Sequence, residues 1–415
     1  MEIDVRRYAR SEGEALDLPD ELVAKDELFP VVFVDVGRRN LTEDPNQEMV
    51  NEGIYDALQL IHSRPVPGQA LIKVHVGEPK CLTRMRPEYV ASSVKFLRDL
   101  GATGIVAGDT SVAYTGPRGH RENPKGDASS YLGLARKQGW SSSGIAGVPF
   151  AVLDRPCTAL SGQFEFETDE RQVRVPGMQH YDSFDIADGF AAAEMVMNHA
   201  HLTLHQLAGV AGCVKSIAMG CSSLAGKLRM HQSLLPRVDN ELCDQCGQCV
   251  DNCPEKALSL GEGASSPSVN TDLCIGCGEC VTSCPNGAIT LEEECITDWV
   301  RGKHTFPLRL ADCTVGIMNR RWQKTIHILH MYSITEHCDC LNGEQSPLLR
   351  DDIGFLVGKN PFAIDRLAAE FLTSRLGQGK ANTYERALQA AGIVASYVEE
   401  KYGIVCDTSL TTLRI

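Results

Sequence analysis

Eight of the 17 cysteines fall in two copies of one spacing, C-x2-C-x2-C-x3-C followed by proline. This spacing is typical of the ligands of two [4Fe–4S] clusters, where the fourth cysteine of each run binds the other cluster. Three thiolates, with two residues between neighbours, can bind three irons of one cluster. The fourth cysteine begins a helix that leads away from that cluster. The predicted ligands of one cluster are Cys243, Cys246, Cys249 and Cys284, and those of the other are Cys274, Cys277, Cys280 and Cys253.

Other chemistry fits these cysteines less well. Zinc sites use paired C-x2-C units and have no need of the third cysteine or the proline. A disulfide framework needs an oxidising compartment, which nothing else in the sequence indicates. Residues 238–293 resemble the two-cluster bacterial ferredoxins throughout, including a short helix and strand predicted after each run (EKALSL and NGAITL). The resemblance implies electron transfer.

A second group of candidate residues lies just upstream, in a glycine-rich segment. Lys227 and His231 are four residues apart, so they would share one face of a helix. The helix start after residues 221–223 could bind an anion. With Lys215, these residues predict an anion-binding or acid/base site for a carboxylate or phosphate. The alternative is a tightly packed, glycine-rich helix pair with two solvated lysines.

Two further groups contain cysteine or histidine. His337, Cys338, Asp339 and Cys340 follow a predicted strand, and with Cys221 or Cys213 they could form a third metal or cluster site. The alternative is that these are ordinary reduced thiols.

His199, His201 and His205 favour substrate contact or packing over metal binding, because no acidic partner follows at a zincin spacing and H-x-H suits a strand. His75 and Glu78 stand at a predicted strand end, where catalytic groups tend to gather.

The elements that must position these residues follow an α/β pattern. Apolar runs predict strands at 30–36, 69–76 and 103–109, with helices at 46–61 and 87–100 between them. This rhythm is typical of a parallel-sheet, Rossmann-like domain with crossover helices. Ligands of such sheets bind beyond the carboxyl ends of the strands. Segments 76–80 and 108–111 are therefore expected at the site.

The α/β pattern resumes after the cysteine runs. The sequence predicts a helix at 308–319, a strand at 325–335, and helices at 362–375 and 383–402, the last ended by Gly403. We therefore predict one α/β domain, formed by residues 1–236 and 295–415, with an inserted α+β two-cluster ferredoxin-like module at 238–293. An insertion needs its two ends close together, which a two-repeat ferredoxin can provide.

Composition excludes several classes of function. The formal net charge is −14 and no basic run offsets it, which disfavours nucleic acid as a partner. No stretch approaches the roughly 20 apolar residues of a membrane span, and residues 1–10 lack the apolar core of a secretory signal. The many cysteines indicate a reducing cytoplasm, consistent with an anaerobic host. Neither a dinucleotide-binding glycine motif nor a phosphate loop is present, so no flavin or nicotinamide is implied.

Three segments resemble an uncharacterised iron–sulfur-centre family known as domain of unknown function 362: residues 71–76, 214–231 and 351–365. The middle segment matches a family signature at Lys215, Gly220, Gly226, Lys227 and His231. The chain departs from the family pattern at Ser216, where Asn is common, and at Asn360, where Asp is usual. The resemblance implies an α/β domain with an inserted ferredoxin and cluster-dependent redox chemistry. A fold-level similarity to the lactate racemase family is analogy only.

These patterns predict an iron–sulfur oxidoreductase. Electrons from a redox partner such as ferredoxin would pass through both clusters to a small, anionic substrate in the α/β domain, which Lys215, Lys227 and His231 would hold or protonate. One alternative is an electron-transfer subunit of a larger redox complex that has no substrate site of its own. Another is a scaffold or metal-delivery protein that uses Cys338 and Cys340.

Overall fold

The structure of the chain is a computed structural model, which describes residues 15–23, 28–42, 46–114, 116–119, 128–155, 164–231, 235–253, 255–274, 276, 278–291 and 305–415. The strands are β1 Phe29–Asp35, β2 Gln69–Lys73, β3 Gly104–Asp109, β4 Phe150–Val152, β5 Glu170–Arg174, β6 Ser183–Ala187, β7 Met195–His201, β8 Thr203–His205, β9 Gly209–Ala211, β10 Pro236–Val238, β11 Leu258–Ser259, β12 Ser268–Val269, β13 Ile289–Leu291, β14 Thr325–Met331, β15 Gly354–Gly358 and β16 Thr408–Arg414. The α-helices are α1 Asp20–Val23, α2 Gln47–Ile61, α3 Ala91–Asp99, α4 Ser129–Lys137, α5 Asp188–Ala191, α6 Cys213–Ala218, α7 Leu224–His231, α8 Gln248–Asp251, α9 Glu279–Thr282, α10 Thr305–Met318, α11 Pro361–Thr383 and α12 Glu385–Tyr402.

Eight strands form one central sheet in the order β16-β1-β15-β14-β7-β2-β3-β4. All neighbouring strands are parallel except β15, which runs antiparallel to both β1 and β14. The carboxyl ends of β14, β7, β2 and β3 therefore lie side by side at one edge. The α/β fold with a mostly parallel sheet is confirmed.

Both faces of this sheet are covered, and strand alternation decides which residue faces which layer. In β1, Val32 and Val34 pack with α2, α3 and α4, whereas Val31 and Phe33 pack with α11 and α12 on the other side. Burial on both faces explains why these strands read as continuous apolar runs in the sequence.

Residues 236–291 form a separate small unit with internal two-fold repetition. Helices α8 and α9 are 31 residues apart, the same offset as the cysteine runs. Strand β10 pairs antiparallel with β13, and β11 with β12, so the start of each repeat pairs with the end of the other. These two strand pairs join the repeats to each other.

The elements differ from the predictions mainly at their ends. Strands β2 and β14 stop at Lys73 and Met331, before the predicted 76 and 335, because the chain there leaves the sheet to form the site loops. The predicted helix at 87–100 begins as a 3-10 turn at Pro87–Val90. Strands β15 and β16 lacked a sequence prediction. Gly403 ends α12 in the left-handed conformation (φ 72°), as predicted. Among the described helices, none is both long and apolar enough to cross a membrane.

Candidate functional site

The carboxyl ends of neighbouring parallel strands bring several polar side chains together. Lys73, Asp109 and His201 are the last residues of β2, β3 and β7. The loop after β14 adds Cys338 to Cys340, and helix α6 adds Lys215. These residues line a common pocket, as predicted for the ends of parallel strands.

A buried charge network forms the floor of this pocket. The Asp109 carboxylate lies 3.8 Å from Lys73 Nζ and 3.1 Å from Arg118 Nη2, and it accepts a 2.5 Å hydrogen bond from Tyr131. Arg118 also donates to Glu78 Oε1 at 2.9 Å. Burial alone would raise the pKa of Asp109, but Lys73 and Arg118 hold it well below its ordinary value. Asp109 is therefore ionised between Lys73 and Arg118.

Cys338 and Cys340 lie at the edge of this network. Lys215 Nζ donates to Cys338 Sγ at 3.6 Å and to Cys340 Sγ at 3.7 Å. Cys340 Sγ is also 3.4 Å from His75 Nε2. Because His75 Nδ1 accepts from the Gly77 amide at 3.0 Å, the proton of a neutral His75 ring is on Nε2, directed at Cys340.

These contacts shift the pKa values of the two thiols in opposite directions. The hydrogen bond from Cys338 lowers the pKa of Cys340 well below its ordinary value, against the effect of burial and with help from Lys215 and His75. The same hydrogen bond, with burial, raises the pKa of Cys338. Burial lowers the pKa of Lys215, but its contacts with the two sulfurs more than reverse this. The arrangement favours a thiolate at Cys340 beside a charged Lys215.

Asp339, between the two cysteines, holds their loop on the sheet. Its Oδ2 is 2.8 Å from His201 Nδ1, and His201 Nε2 is 2.7 Å from the Tyr332 carbonyl. Burial lowers the pKa of His201, but Asp339 raises it above its ordinary value. With acceptors at both ring nitrogens, His201 is a cation that anchors the loop.

Lys227 is the second buried lysine of the site, with 7% of its surface exposed. Its Nζ donates to Thr110 Oγ1 at 2.8 Å and to the Ser222 carbonyl at 2.7 Å, neither of which carries a charge. Burial lowers the pKa of Lys227 to about 8. Lys227 is buried, Lys215 is partly buried, and both line the pocket, which disfavours the alternative of two solvated lysines.

The glycines of this segment allow close packing. A Cβ at Gly220 would overlap the Lys73 ammonium and the Ser216 carbonyl, and one at Gly226 would overlap the Asp185 carbonyl. Asp365 occupies the amino end of α6, accepting from the amides of Cys213 (2.7 Å) and Val214 (2.9 Å), and burial raises its pKa to about 7. Asn360 caps α11 through Phe362 and Ala363, so the departure from the family pattern has a structural role.

The pocket widens into a cavity of about 500 Å³ between the α/β domain and the small unit. The small unit contributes Asp251, Asn252, Cys253 and Lys256 to its wall. From the α/β domain come the predicted residues Lys215, Lys227, His231, His337, Cys338 and Cys340. One cavity therefore adjoins both the strand-end residues and a cysteine of the first run.

His231 joins the two units. Its Nδ1 is 3.0 Å from the Gly276 carbonyl, which can only accept, so Nδ1 carries the proton. Burial lowers the pKa of His231 to about 4. The ring is therefore neutral at neutral pH, which makes it a poor proton donor to a substrate.

Some cysteines of one run act electrostatically on cysteines of the other run. Burial, then the neighbouring Cys284 and Cys243, raise the pKa of Cys249, while burial and then Cys253 raise that of Cys274. Cys277 lies outside the described residues. Among the described residues, no group of three or more His, Cys, Asp or Glu side chains is placed to hold a metal ion. The two ligand sets and the clusters themselves stay a prediction.

The remaining predicted residues lie apart from the thiol pair. Cys221 donates to the Ser216 carbonyl at 3.8 Å, so His75, rather than Cys221, is the third group at Cys340. His199 is buried within the sheet between Ser93 and His330. His205 accepts from the Leu207 and Ala208 amides and lines the cavity.

Sequence reasoning missed Lys73, Arg118 and Tyr131. Lys73 and Asp109 had a usable signal, because each is a polar residue that ends an apolar strand. Arg118 lies in a loop, and only the folded chain brings it to the sheet edge.

A family model described as "Domain of unknown function (DUF362)" matches residues 70–370. Similar solved structures include the lactate racemase apoprotein from Thermoanaerobacterium thermosaccharolyticum, at 10% identity and a TM-score of 0.37, and a protein from Thermotoga maritima, at 9% and 0.35. Each comparison covers 86% of this chain and 59% of the other, so the chain spans less than two thirds of those proteins. No curated protein matches the chain.

Proposed function

The chain belongs to the DUF362 family, a domain of unknown function, and we propose that it is an iron–sulfur oxidoreductase that passes electrons through two [4Fe–4S] clusters to a small, anionic substrate. The observation that carries this proposal is the shared cavity. It is lined on one side by Asp251 to Cys253 of the small unit and on the other by Lys215, Lys227 and Cys340. A substrate in it would lie next to a proposed cluster ligand.

The cysteines of the small unit fit the proposed clusters. One would be held by Cys243, Cys246, Cys249 and Cys284, the other by Cys253, Cys274, Cys277 and Cys280. The Ala257 amide donates to Cys253 Sγ and the Ala288 amide to Cys284 Sγ, both at 3.2 Å, and such donors suit ligating thiolates. When bound, the clusters would supply one-electron transfer. The fold of residues 236–291, with its exchanged strands, supports an inserted ferredoxin-like module.

The charges of the pocket support an anionic substrate. Its two carboxylates at the floor, Asp109 and Glu78, are paired with Lys73 and Arg118. Among the described residues, the hydrogen-bond partners of the Lys227 ammonium group are neutral, although Asp154 and Asp109 act on its charge from nearby. An anion could therefore bind Lys227 without displacing a hydrogen-bonded carboxylate, and burial would strengthen the pairing.

Lys227 is also suited to proton transfer. A group with a pKa of about 8 exchanges protons readily near neutral pH. Its partners Thr110 and Ser222 fix the position of Nζ at the pocket wall. In this proposal Lys227 orients the substrate and provides a proton, Lys215 stays charged beside the thiols, and His231 holds the two units together.

Anaerobic purification with iron analysis and EPR spectroscopy tests the cofactor part. We expect roughly eight irons per chain, as two [4Fe–4S] clusters require. Zinc in place of iron, or fewer than about four irons after reconstitution, would contradict it.

The substrate part is tested with the reduced protein and a panel of small anionic oxidants. Lys227→Met should keep its iron yet slow reoxidation by the accepted oxidant at least roughly tenfold, since removing a buried hydrogen-bonded charge costs more than 1.4 kcal/mol. Lys401→Met, at an exposed position of α12, is the matched control and should behave as the unmodified protein. Equal rates in both variants would remove Lys227 from the mechanism.

A second candidate is an electron-transfer subunit without its own substrate. Leu242 and Leu273 occupy equivalent positions before the two cysteine runs and are 52% and 39% exposed, which suits a protein partner such as a ferredoxin. Reoxidation by a protein partner, but by none of the small anions, would favour this candidate.

A further inference from the structure

We propose that Cys338 and Cys340 form a redox-active dithiol, with Cys340 as the nucleophile and Cys338 as the resolving thiol, and that it reacts with small anionic disulfides. This inference deepens the proposed function by naming a substrate class. The reduction of the protein disulfide back to the dithiol rests on that function. The argument starts from the geometry of the two thiols.

The loop presents both sulfurs to one cation. The Leu341 amide donates to the Cys338 carbonyl at 2.9 Å, which closes a turn with Asp339 and Cys340 at its centre. The Cys340 amide donates to Cys338 Sγ at 3.4 Å, and Lys215 Nζ contacts both sulfurs. The pair can therefore close to a disulfide with local movement only.

The two cysteines differ in access. Both line the larger cavity, but Cys338 is only 7% exposed, whereas Cys340 is partly exposed. Cys340 also has the extra contact with His75 Nε2. A reactive cysteine is an accessible thiolate in an electropositive environment, and a resolving cysteine is the sheltered neighbour. The structure assigns these roles to Cys340 and Cys338 respectively.

The surroundings argue against simple metal binding at this pair. The Lys215 ammonium contacts both sulfurs, where a metal ion would have to be. Cys221, a predicted extra ligand, bonds elsewhere. Lys227 lines the same cavity as Cys340 and could hold an anionic group of the substrate.

The exchange is balanced in two steps. Cys340 thiolate attacks one sulfur of the substrate disulfide, the substrate S–S bond breaks, and one substrate thiolate leaves and takes up a proton. Cys338 then loses its proton and attacks Cys340 Sγ, which forms the protein disulfide and releases the second substrate thiol. Returning the protein disulfide to the dithiol requires two electrons and two protons, and a reduced ferredoxin-type partner is the proposed electron donor.

The test uses anaerobically purified full-length protein and dithiobis(nitrobenzoate), a small dianionic disulfide whose thiol product is coloured. We expect a fast release of about two coloured thiols per chain, and a disulfide between Cys338 and Cys340 in the peptide mass spectrum. Cys338→Ser should release about one and retain the other as an adduct on Cys340. Cys340→Ser should slow the fast phase at least roughly tenfold.

Cys221→Ser is the matched control, since Cys221 is buried nearby but lies outside both pockets. It should react like the unmodified protein. A fast phase that survives in Cys340→Ser, or an unmodified protein that retains a stable adduct instead of closing the disulfide, would overturn the assignment. Iron content and circular dichroism check that each variant is folded.

The outcomes separate this inference from the proposed function. If roughly eight irons are present but the thiol pair reacts slowly, the dithiol assignment fails and the electron-transfer proposal stands. If iron is absent but peptide mapping still finds the Cys338–Cys340 disulfide, and Cys340→Ser abolishes it, the proposed function fails and the dithiol assignment stands.

Discussion

The small unit at 236–291 and the strand-end site of the α/β domain are built by opposite means. In the small unit, the cysteines lie within two short runs, and Cys246 is exposed. At the strand ends, the side chains come from residues as far apart as Lys73 and Cys340, and Asp109 and Lys73 are each 1% exposed. The first chemistry depends on local spacing, whereas the second depends on long-range packing. Damage to either should therefore leave the other largely intact.

The largest effect is expected in the small unit. It shows whether each cluster takes its ligands from both cysteine runs. Cys253→Ser and Cys274→Ser should each reduce iron from roughly eight to roughly four per chain, because both remove a ligand of the same cluster. The surviving EPR spectrum should be identical in the two variants and should differ from that of Cys243→Ser. Cys313→Ser, a buried thiol of α10, is the control and should keep all the iron.

Two observations would contradict this expectation. One is a surviving spectrum of Cys253→Ser that matches Cys243→Ser instead of Cys274→Ser, since ligands would then not cross between runs. The other is loss of the fast thiol reaction at Cys340, since the two regions would then not be independent.

A corresponding change in the α/β domain removes a charge from the buried network at the strand ends. Asp109→Asn leaves Lys73 and Arg118 buried with one carboxylate fewer, and breaking a buried ion pair in this way costs about 3–5 kcal/mol. Urea unfolding, monitored by circular dichroism, measures the free energy of unfolding. Asp56→Asn, on the exposed surface of α2, should change it by less than about 0.5 kcal/mol. Iron content that falls with Asp109→Asn would show that the regions are coupled.

A smaller effect is expected from the close packing of Gly220, just after α6. Gly220→Ala places a methyl group against the Lys73 ammonium and the Ser216 carbonyl, and overpacking of this kind costs about 1–3 kcal/mol. Gly133→Ala is the control, because a Cβ there meets nothing within 4 Å and alanine favours a helix. Unfolding curves should show that Gly220→Ala is less stable than the unmodified protein and that Gly133→Ala is more stable. Equal stability would mean that the site can expand around Gly220.

The contrast between the regions also explains what could be predicted from the sequence. The cysteine runs, strands β1 to β3 and the end of α12 at Gly403 were predictable, because each depends on neighbouring residues. Lys215, Lys227 and Cys340 were identified by type and spacing, but their common cavity was not. Strand β16 is exposed along most of its length, so its sequence lacks the apolar signal of a buried strand. The partnership of Lys215 with the thiols depends on a contact across 125 residues, which no local pattern encodes.

The smallest effect concerns His231, which contacts both regions. His231 donates to the Gly276 carbonyl, and its pKa of about 4 is below the ordinary 6.5. Between these values the unfolded chain binds more protons than the folded one, so this contribution to stability is lost as pH falls. From pH 7 to pH 6 the loss should be on the order of 1 kcal/mol. Lys215, Cys340 and Arg309 are the charged or titratable groups that act on the ring.

His231→Gln isolates this contribution from the other buried histidines, since they titrate equally in both proteins. The difference in unfolding free energy between the unmodified protein and His231→Gln should therefore shrink on acidification from pH 7 to pH 6. His62→Gln, at a histidine whose ring contact with the Arg64 carbonyl is exposed, is the control and should show a weaker dependence. A difference that stays constant would mean that His231 is protonated alike in both states, and that the junction between the two regions does not depend on its neutral ring.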